Sequence, residues 1–188
     1  MSLPRHTAPL RSRRALLAGA AGVGAVALAG CGGKPLSKKI LNGGTVLPED
    51  VPVLNSLLGV EHYAIAAYAA AFPLFADGTE ANRVAKQFLS QELAHEAELA
   101  GLVKDGGGKA ASPQAAYSLG NPRTAAEALD LLERVERAEL HAHLRLMPAL
   151  GGGHVRAAIA TIFANDSQHL AVLRTQSGQT PTAAFVVG

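Results

Sequence analysis

Four acidic residues stand out because of where they fall. Glu61, Glu92, Glu136 and Asp166 each sit near the middle of a segment whose other regularly spaced residues are mostly apolar. Two of them are followed three places later by histidine, in Glu92-Leu93-Ala94-His95 and Asp166-Ser167-Gln168-His169. Residues three apart on a helix project from one face, so each pair can present a carboxylate and an imidazole to the same point. Carboxylate oxygen and imidazole nitrogen are ligands of first-row transition metals. A carboxylate in an apolar core is costly unless it is neutralised, paired or bound to metal. One such pair is weak evidence. The strength lies in two pairs at mid-segment, with lone glutamates on the two segments that lack a pair.

Those residues need helices to hold them. Apolar residues three and four apart predict helices from about Pro52 to Phe72, Ala81 to Lys104, Thr124 to Met147 and His154 to Thr175. Pro52 suits a first turn and Thr124 an N-cap. The inward seams read Leu54, Leu57, Glu61, Ala64, Tyr68; then Ala85, Phe88, Glu92, His95, Leu99, Leu102; then Leu129, Leu132, Glu136, Leu140, His143, Met147; then Ile159, Ile162, Asp166, His169, Leu173. In antiparallel helices of similar length the midpoints share a level, so the four acids are expected in one layer. The first and second helices, and the third and fourth, are joined by short breaks. About twenty residues, Asp105 to Arg123, separate the second from the third. Two antiparallel helical hairpins joined by one long crossover form the expected all-α four-helix bundle.

The third helix offers a second carboxylate, Glu139, as an alternative to Glu136. His143 and Met147 read as core packing rather than ligands. Tyr68 reads as a core aromatic, with a hydrogen bond to the site as the alternative. His62, His141 and His154 read as surface or helix-end residues.

With these motifs in place, the chain resembles the ferritin-like superfamily over roughly Val51 to Arg174. Within it the chain resembles especially the exported bacterial ferritin-like proteins related to plant desiccation-related proteins. The stretches Asn55-Ser56-Leu57-Leu58-Gly59-Val60-Glu61-His62-Tyr63 and Gln91-Glu92-Leu93-Ala94-His95-Glu96 carry the likeness. The resemblance implies two iron or manganese ions. Glu92 and Asp166 would bridge them, Glu61 and Glu136 would be terminal ligands, and His95 and His169 would bind one metal each. Asp166 stands where the family motif usually has glutamate. Its shorter reach implies a weaker second position.

The N-terminus reads as an address rather than as fold. Met1 to Arg14 holds four arginines and no acid, and Ala15 to Gly30 is apolar and uncharged. That is the pattern of a secretory signal at residues 1–30. Ser12-Arg13-Arg14-Ala15-Leu16-Leu17 resembles a twin-arginine export signal, and Leu28-Ala29-Gly30-Cys31 a lipobox. Cys31 is the only cysteine among 188 residues. The expectation is an exported lipoprotein anchored to the cell membrane through lipid on Cys31 and facing the periplasm or the cell exterior. Residues 31–50 read as a tether, 51–176 as the bundle and 177–188 as an extended tail in which Phe185-Val186-Val187 folds back.

The formal charge of +2 belongs to the leader, because the rest of the chain has 13 basic against 15 acidic residues. No basic patch interleaved with aromatics appears there, and no nucleic-acid partner is expected. Two functions remain. One is a two-metal oxidoreductase, either oxidising iron or consuming peroxide. The other is a non-catalytic, metal-free or degenerate bundle serving as a stress-related or structural lipoprotein. A homodimer is the assembly considered.

Overall fold

The computed structural model describes residues 44–181. The proposed signal with Arg13 and Arg14, the lipidation candidate Cys31, most of the tether and the end of the tail lie outside the described residues. Four helices run Val51–Ala71 (α1), Glu80–Asp105 (α2), Ala125–Leu146 (α3) and Gly153–Gln176 (α4). There is no strand among the described residues, and the predicted four-helix architecture is observed.

Local chemistry sets the helix ends. Thr124 caps α3 by accepting a hydrogen bond from the Glu127 amide at 3.2 Å, while Glu127 accepts from the Thr124 amide at 3.1 Å. The two bonds form a capping box. Thr79 accepts from the Asn82 amide at the start of α2. The other end of α2 stops at three glycines. Gly107 takes a φ of +77°, a conformation glycine adopts without penalty. A methyl group on Gly108 would lie 2.5 Å from Val51 Cγ1, so only glycine lets this corner close against α1.

Helix directions follow from what packs with what. One apolar cluster joins Leu54, Leu57 and Leu58 at the start of α1 to Leu99, Leu102 and Val103 at the end of α2. Ala142 near the end of α3 and Val155 to Ile162 at the start of α4 complete it. A second joins Ala64 to Ala71, Val84 to Phe88, Ala128 to Val135 and Leu173. So α1 runs parallel to α4 and antiparallel to α2 and α3. The helix α1 packs on α2 and α3, and α3 packs on α4. Each fully buried leucine stabilises the fold by about 1.5–3 kcal/mol. By length and composition alone, the stretch containing α1, Pro48–Leu74, could cross a membrane. The burial of Leu54, Leu57, Ala64 and Tyr68 in the two clusters explains its apolarity.

The crossover travels the length of the bundle along α1. Asn55 on α1 donates to the Lys109 carbonyl and accepts from the Ala111 amide, and Tyr63 donates to the Ser118 carbonyl. At one end of the bundle, fully buried Asp50 accepts from the Gly151 amide at 2.7 Å, tying the entry of α1 to the α3–α4 turn. At the other end the chain does not leave α4 extended, as expected for the tail. Gly178 has a φ of +71°, and the Gln179 amide donates back to the Arg174 carbonyl. Ser177 and the Gln179 side chain both donate to Glu133. Residues 177–179 therefore form a cap that pins α4 to α3.

Candidate metal centre

Between the two apolar clusters lies a polar layer. Glu61, Glu92, Glu136, Glu139 and Asp166 all have no exposed surface, and His95, His143 and His169 are buried with them. The six residues singled out by the sequence are all in this layer. Each mid-helix acid arrives at the same level because each lies between the apolar halves of its own seam.

Glu92 stands at the centre. Its Oε2 is 3.2 Å from His95 Nδ1 and its Oε1 is 2.9 Å from His169 Nδ1. Glu136 Oε1 lies 3.2 Å from His169 Nδ1 and accepts the Tyr68 hydroxyl. Glu61 Oε2 and Asp166 Oδ1 lie 3.6 and 3.4 Å from His95 Nδ1. Ligand atoms of Glu92, Glu136, Asp166 and His169 all fall within 4.8 Å of one another, and so do those of Glu61, Glu92 and His95.

Both histidines are oriented from behind. His95 Nε2 is 3.0 Å from Asn165 Oδ1, and His169 Nε2 is 2.7 Å from Gln91 Oε1. An amide oxygen can only accept, so each Nε2 carries a proton and each Nδ1 faces the carboxylates, protonated while the imidazole is charged and free to bind a cation once it is neutral. The arrangement is reciprocal. Gln91 precedes Glu92 on α2 and holds the histidine of α4; Asn165 precedes Asp166 on α4 and holds the histidine of α2. Phe88 also stacks on His169, with ring centroids 3.9 Å apart.

The electrostatics record the crowding. Burial pushes the Glu61 carboxyl up to about 8 and, with the Glu92 charge, Glu136 up to about 7. Burial and the Glu61 charge raise Asp166, and burial and the Glu92 charge raise Glu139 well above the carboxylate range. Glu92 goes the other way: burial opposes its charge, but the imidazoles of His169 and His95 hold it down at about 2. Burial also opposes charge on His95 and His169, yet the carboxylates Glu61 and Glu92 raise His95 to about 11, and Glu136 and Glu92 raise His169 to about 9. Burial and the His95 charge lower His143 to about 4.

Many of these polar atoms have neighbours but no aligned hydrogen bond. Both oxygens of Glu61, Glu139 and Asp166, both nitrogens of His143, Glu92 Oε1, Glu136 Oε2 and His169 Nδ1 are buried without one. Buried polar groups are normally satisfied, and each exception calls for an explanation such as an ion. Here carboxylate oxygens and ring nitrogens converge with few aligned hydrogen bonds, which fits a cation. The buried acidic and histidine groups are close enough to hold metal.

The sequence matches the ferritin-like domain family over residues 49–179. The chain belongs to that family. Its fold is also that of a conserved hypothetical protein of Mycobacterium tuberculosis known from a crystal structure. The two superpose with a TM-score of 0.65 at 24% identity, covering 73% of this chain and 97% of the other. No curated protein matches the sequence significantly.

Several residues of this ferritin-like domain sit differently from expectation. His143 is not surrounded by apolar packing alone: its ring nitrogens face Asp166 and Glu61. Tyr68 is more than a core aromatic, because it donates to Glu136. His62 is not a surface residue; it is buried, with Nε2 3.5 Å from Glu96. His141 is exposed and His154 lies at the start of α4, as expected. Met147 packs at the edge of the first apolar cluster. Of the two candidate carboxylates on α3, Glu136 meets a histidine. Glu139 is buried in the same layer but belongs to none of the ligand groups found among the described residues.

Proposed function

We propose that this domain holds two iron or manganese ions through Glu61, Glu92, His95, Glu136, Asp166 and His169, and acts as an oxidoreductase using oxygen or peroxide. The observation that carries this reading is the converging set of unpaired buried carboxylate and imidazole atoms between two apolar clusters. A pair of redox metals supplies reversible one-electron chemistry at adjacent positions. The protein's part is to fix the ligands. Glu92 turns one oxygen to each histidine, which is what a bridging carboxylate must do. Gln91 and Asn165 set the histidine tautomers. The apolar clusters above and below exclude water. Tyr68 holds Glu136 through its hydroxyl.

The metal-free alternative has its own support. Two raised histidines beside a lowered Glu92, with Glu61 and Glu136 raised, can balance charge through protons alone. The experiment that separates the readings is metal analysis of the purified full chain, followed by iron(II) oxidation under oxygen and under peroxide. About two metals per chain and oxidation faster than in buffer support the enzyme. A folded chain that cannot be loaded with iron or manganese supports the degenerate bundle.

Export through Arg13 and Arg14 and anchoring through lipid on Cys31 complete the proposal. Its basis is the sequence pattern. A Cys31→Ala chain that still fractionates wholly with membranes would remove the anchor from it.

A further inference from the structure

The two-metal reading leaves part of the layer unexplained. His143 is fully buried, and neither ring nitrogen has a hydrogen-bond partner. It lies on α3 two turns beyond Glu136, facing Asp166 and Glu61. The two carboxylates divide their oxygens between the histidines. Glu61 turns Oε2 toward His95, at 3.6 Å, and Oε1 toward His143, at 3.8 Å. Asp166 turns Oδ1 toward His95, at 3.4 Å, and Oδ2 toward His143, at 3.3 Å. Glu92 divides its oxygens in the same way between His95 and His169. Carboxylates therefore link His95 to both other imidazoles, Glu92 to His169 and Glu61 and Asp166 to His143.

We propose that Glu61, His143 and Asp166 form a third cation position beside the two-metal centre. It would take a divalent transition metal, because its donors are two carboxylates and one imidazole. Ligand atoms of the three residues lie within 4.8 Å of one another, and all three side chains are fully buried. Three protein ligands leave room for water or a small exchangeable ligand on the metal. The shape of the two acids favours occupation. Were His143 only packing, nothing would require both Glu61 and Asp166 to turn a free oxygen toward it. The inference rests on the two-metal reading for the neighbouring positions, but its own residues differ from that centre by His143.

The test is stoichiometry on the purified full chain. Metal-free protein is titrated with cobalt(II), followed by visible absorption and by metal analysis after desalting, and the series is repeated with manganese(II). Wild type is expected to bind three equivalents. His143→Ala and the polar variant His143→Gln are expected to bind two, with helix content unchanged and with the absorption of the remaining two cobalt ions retained. Binding of two equivalents by wild type and by both variants overturns the third position and leaves the two-metal reading intact. Loss of one of only two equivalents in the variants also overturns it, by making His143 a ligand of the pair. No binding by wild type overturns both readings together. Should both variants fail to fold, the wild-type count still decides between two and three.

Discussion

The two ends of the polar layer are made from the same residue types and are held in opposite ways. At the His169 end, Gln91 fixes the imidazole, Phe88 stacks on it and Tyr68 grips Glu136. At the His143 end, both nitrogens of the histidine and all four oxygens of Glu61 and Asp166 lack an aligned partner. One end is organised by protein groups before any ion arrives. The other depends on protons or a cation to offset its buried charge. The lesson is that a ligand set read from spacing alone gives no sign of how firmly each ligand is held. That depends on neighbours contributed by other helices.

Glu92 links His169 to His95, so its removal should have the largest effect. Glu92→Ala is expected to abolish tight binding at the two positions beside His95 and His169, because each of these histidines loses its nearest carboxylate. Each position filled at metal concentrations near a thousand times its Kd should add about 4 kcal/mol of stability, and the variant should lose the gain from the two positions beside His95 and His169. Thermal unfolding with and without manganese(II) measures this. A variant that binds and melts like wild type would sink the two-metal reading.

Acidity should separate the metal-free and metal-loaded forms. In the metal-free fold, burial raises Glu61 from 4.5 to about 8 and burial with the Glu92 charge raises Glu136 to about 7. Raised groups contribute stability that is full below their unfolded value and is lost as pH climbs through the folded one. His95 and His169 act in the same direction, with losses near 11 and 9. Within the layer Glu92 and His143 act oppositely, their contributions being lost as pH falls toward about 2 and about 4. The metal-free protein should therefore lose stability between about pH 5 and 9. Metal displaces those protons and should bind more tightly over the same range. The gap in melting temperature between the two forms is expected to widen from pH 5 to 8. A gap that narrows would contradict the idea that ions replace protons in this layer.

The amide clamps give a smaller and crossed effect. Asn165→Ala should weaken the metal position at His95, on the other motif, and Gln91→Ala the one at His169. Loss of such an outer partner typically costs 10–100-fold in metal affinity. Spectral titration with cobalt(II) can follow the two positions separately. If each variant weakens the histidine of its own motif instead, the reciprocal clamp is wrong.

Much of this was legible in the sequence because the signals were periodic. The four helices appear within a residue or two of the expected ends. The mid-helix acids meet because the apolar stretches on either side fix their level. The unequal breaks gave the crossover. What escaped depends on partners far apart in the chain. Gln91 and Asn165 precede the acid in each motif, a repeat visible in hindsight, but only the opposite helix shows what they hold. His143 lies on the same seam as Glu136, at a spacing equally suited to packing. What distinguishes it is the outward turn of Glu61 and Asp166, which is a matter of side-chain rotamer and not of spacing. His62 looked like a surface residue because it directly follows Glu61. Its burial comes from α2, whose Glu96 lies against it.

The smallest effect belongs to the hydroxyl of Tyr68. At the well-held end it satisfies one oxygen of Glu136, whose other oxygen has no hydrogen-bond partner. Tyr68→Phe keeps the ring and its edge-on contact with Phe88, so the apolar cluster should survive. Leaving a buried carboxylate oxygen without its donor costs about 1–3 kcal/mol. In the metal-free protein that cost should appear in full. In the loaded protein a metal bound to Glu136 takes over the oxygen's lone pairs, so the cost should shrink. Chemical unfolding of wild type and Tyr68→Phe, each with and without manganese(II), isolates the difference. An equal loss in both forms would make Tyr68 a core residue whose hydroxyl is incidental to metal. A loss confined largely to the metal-free form would mean that protein donor and metal compete for the same carboxylate. The same comparison at the His143 end, where no such donor exists, should show no counterpart.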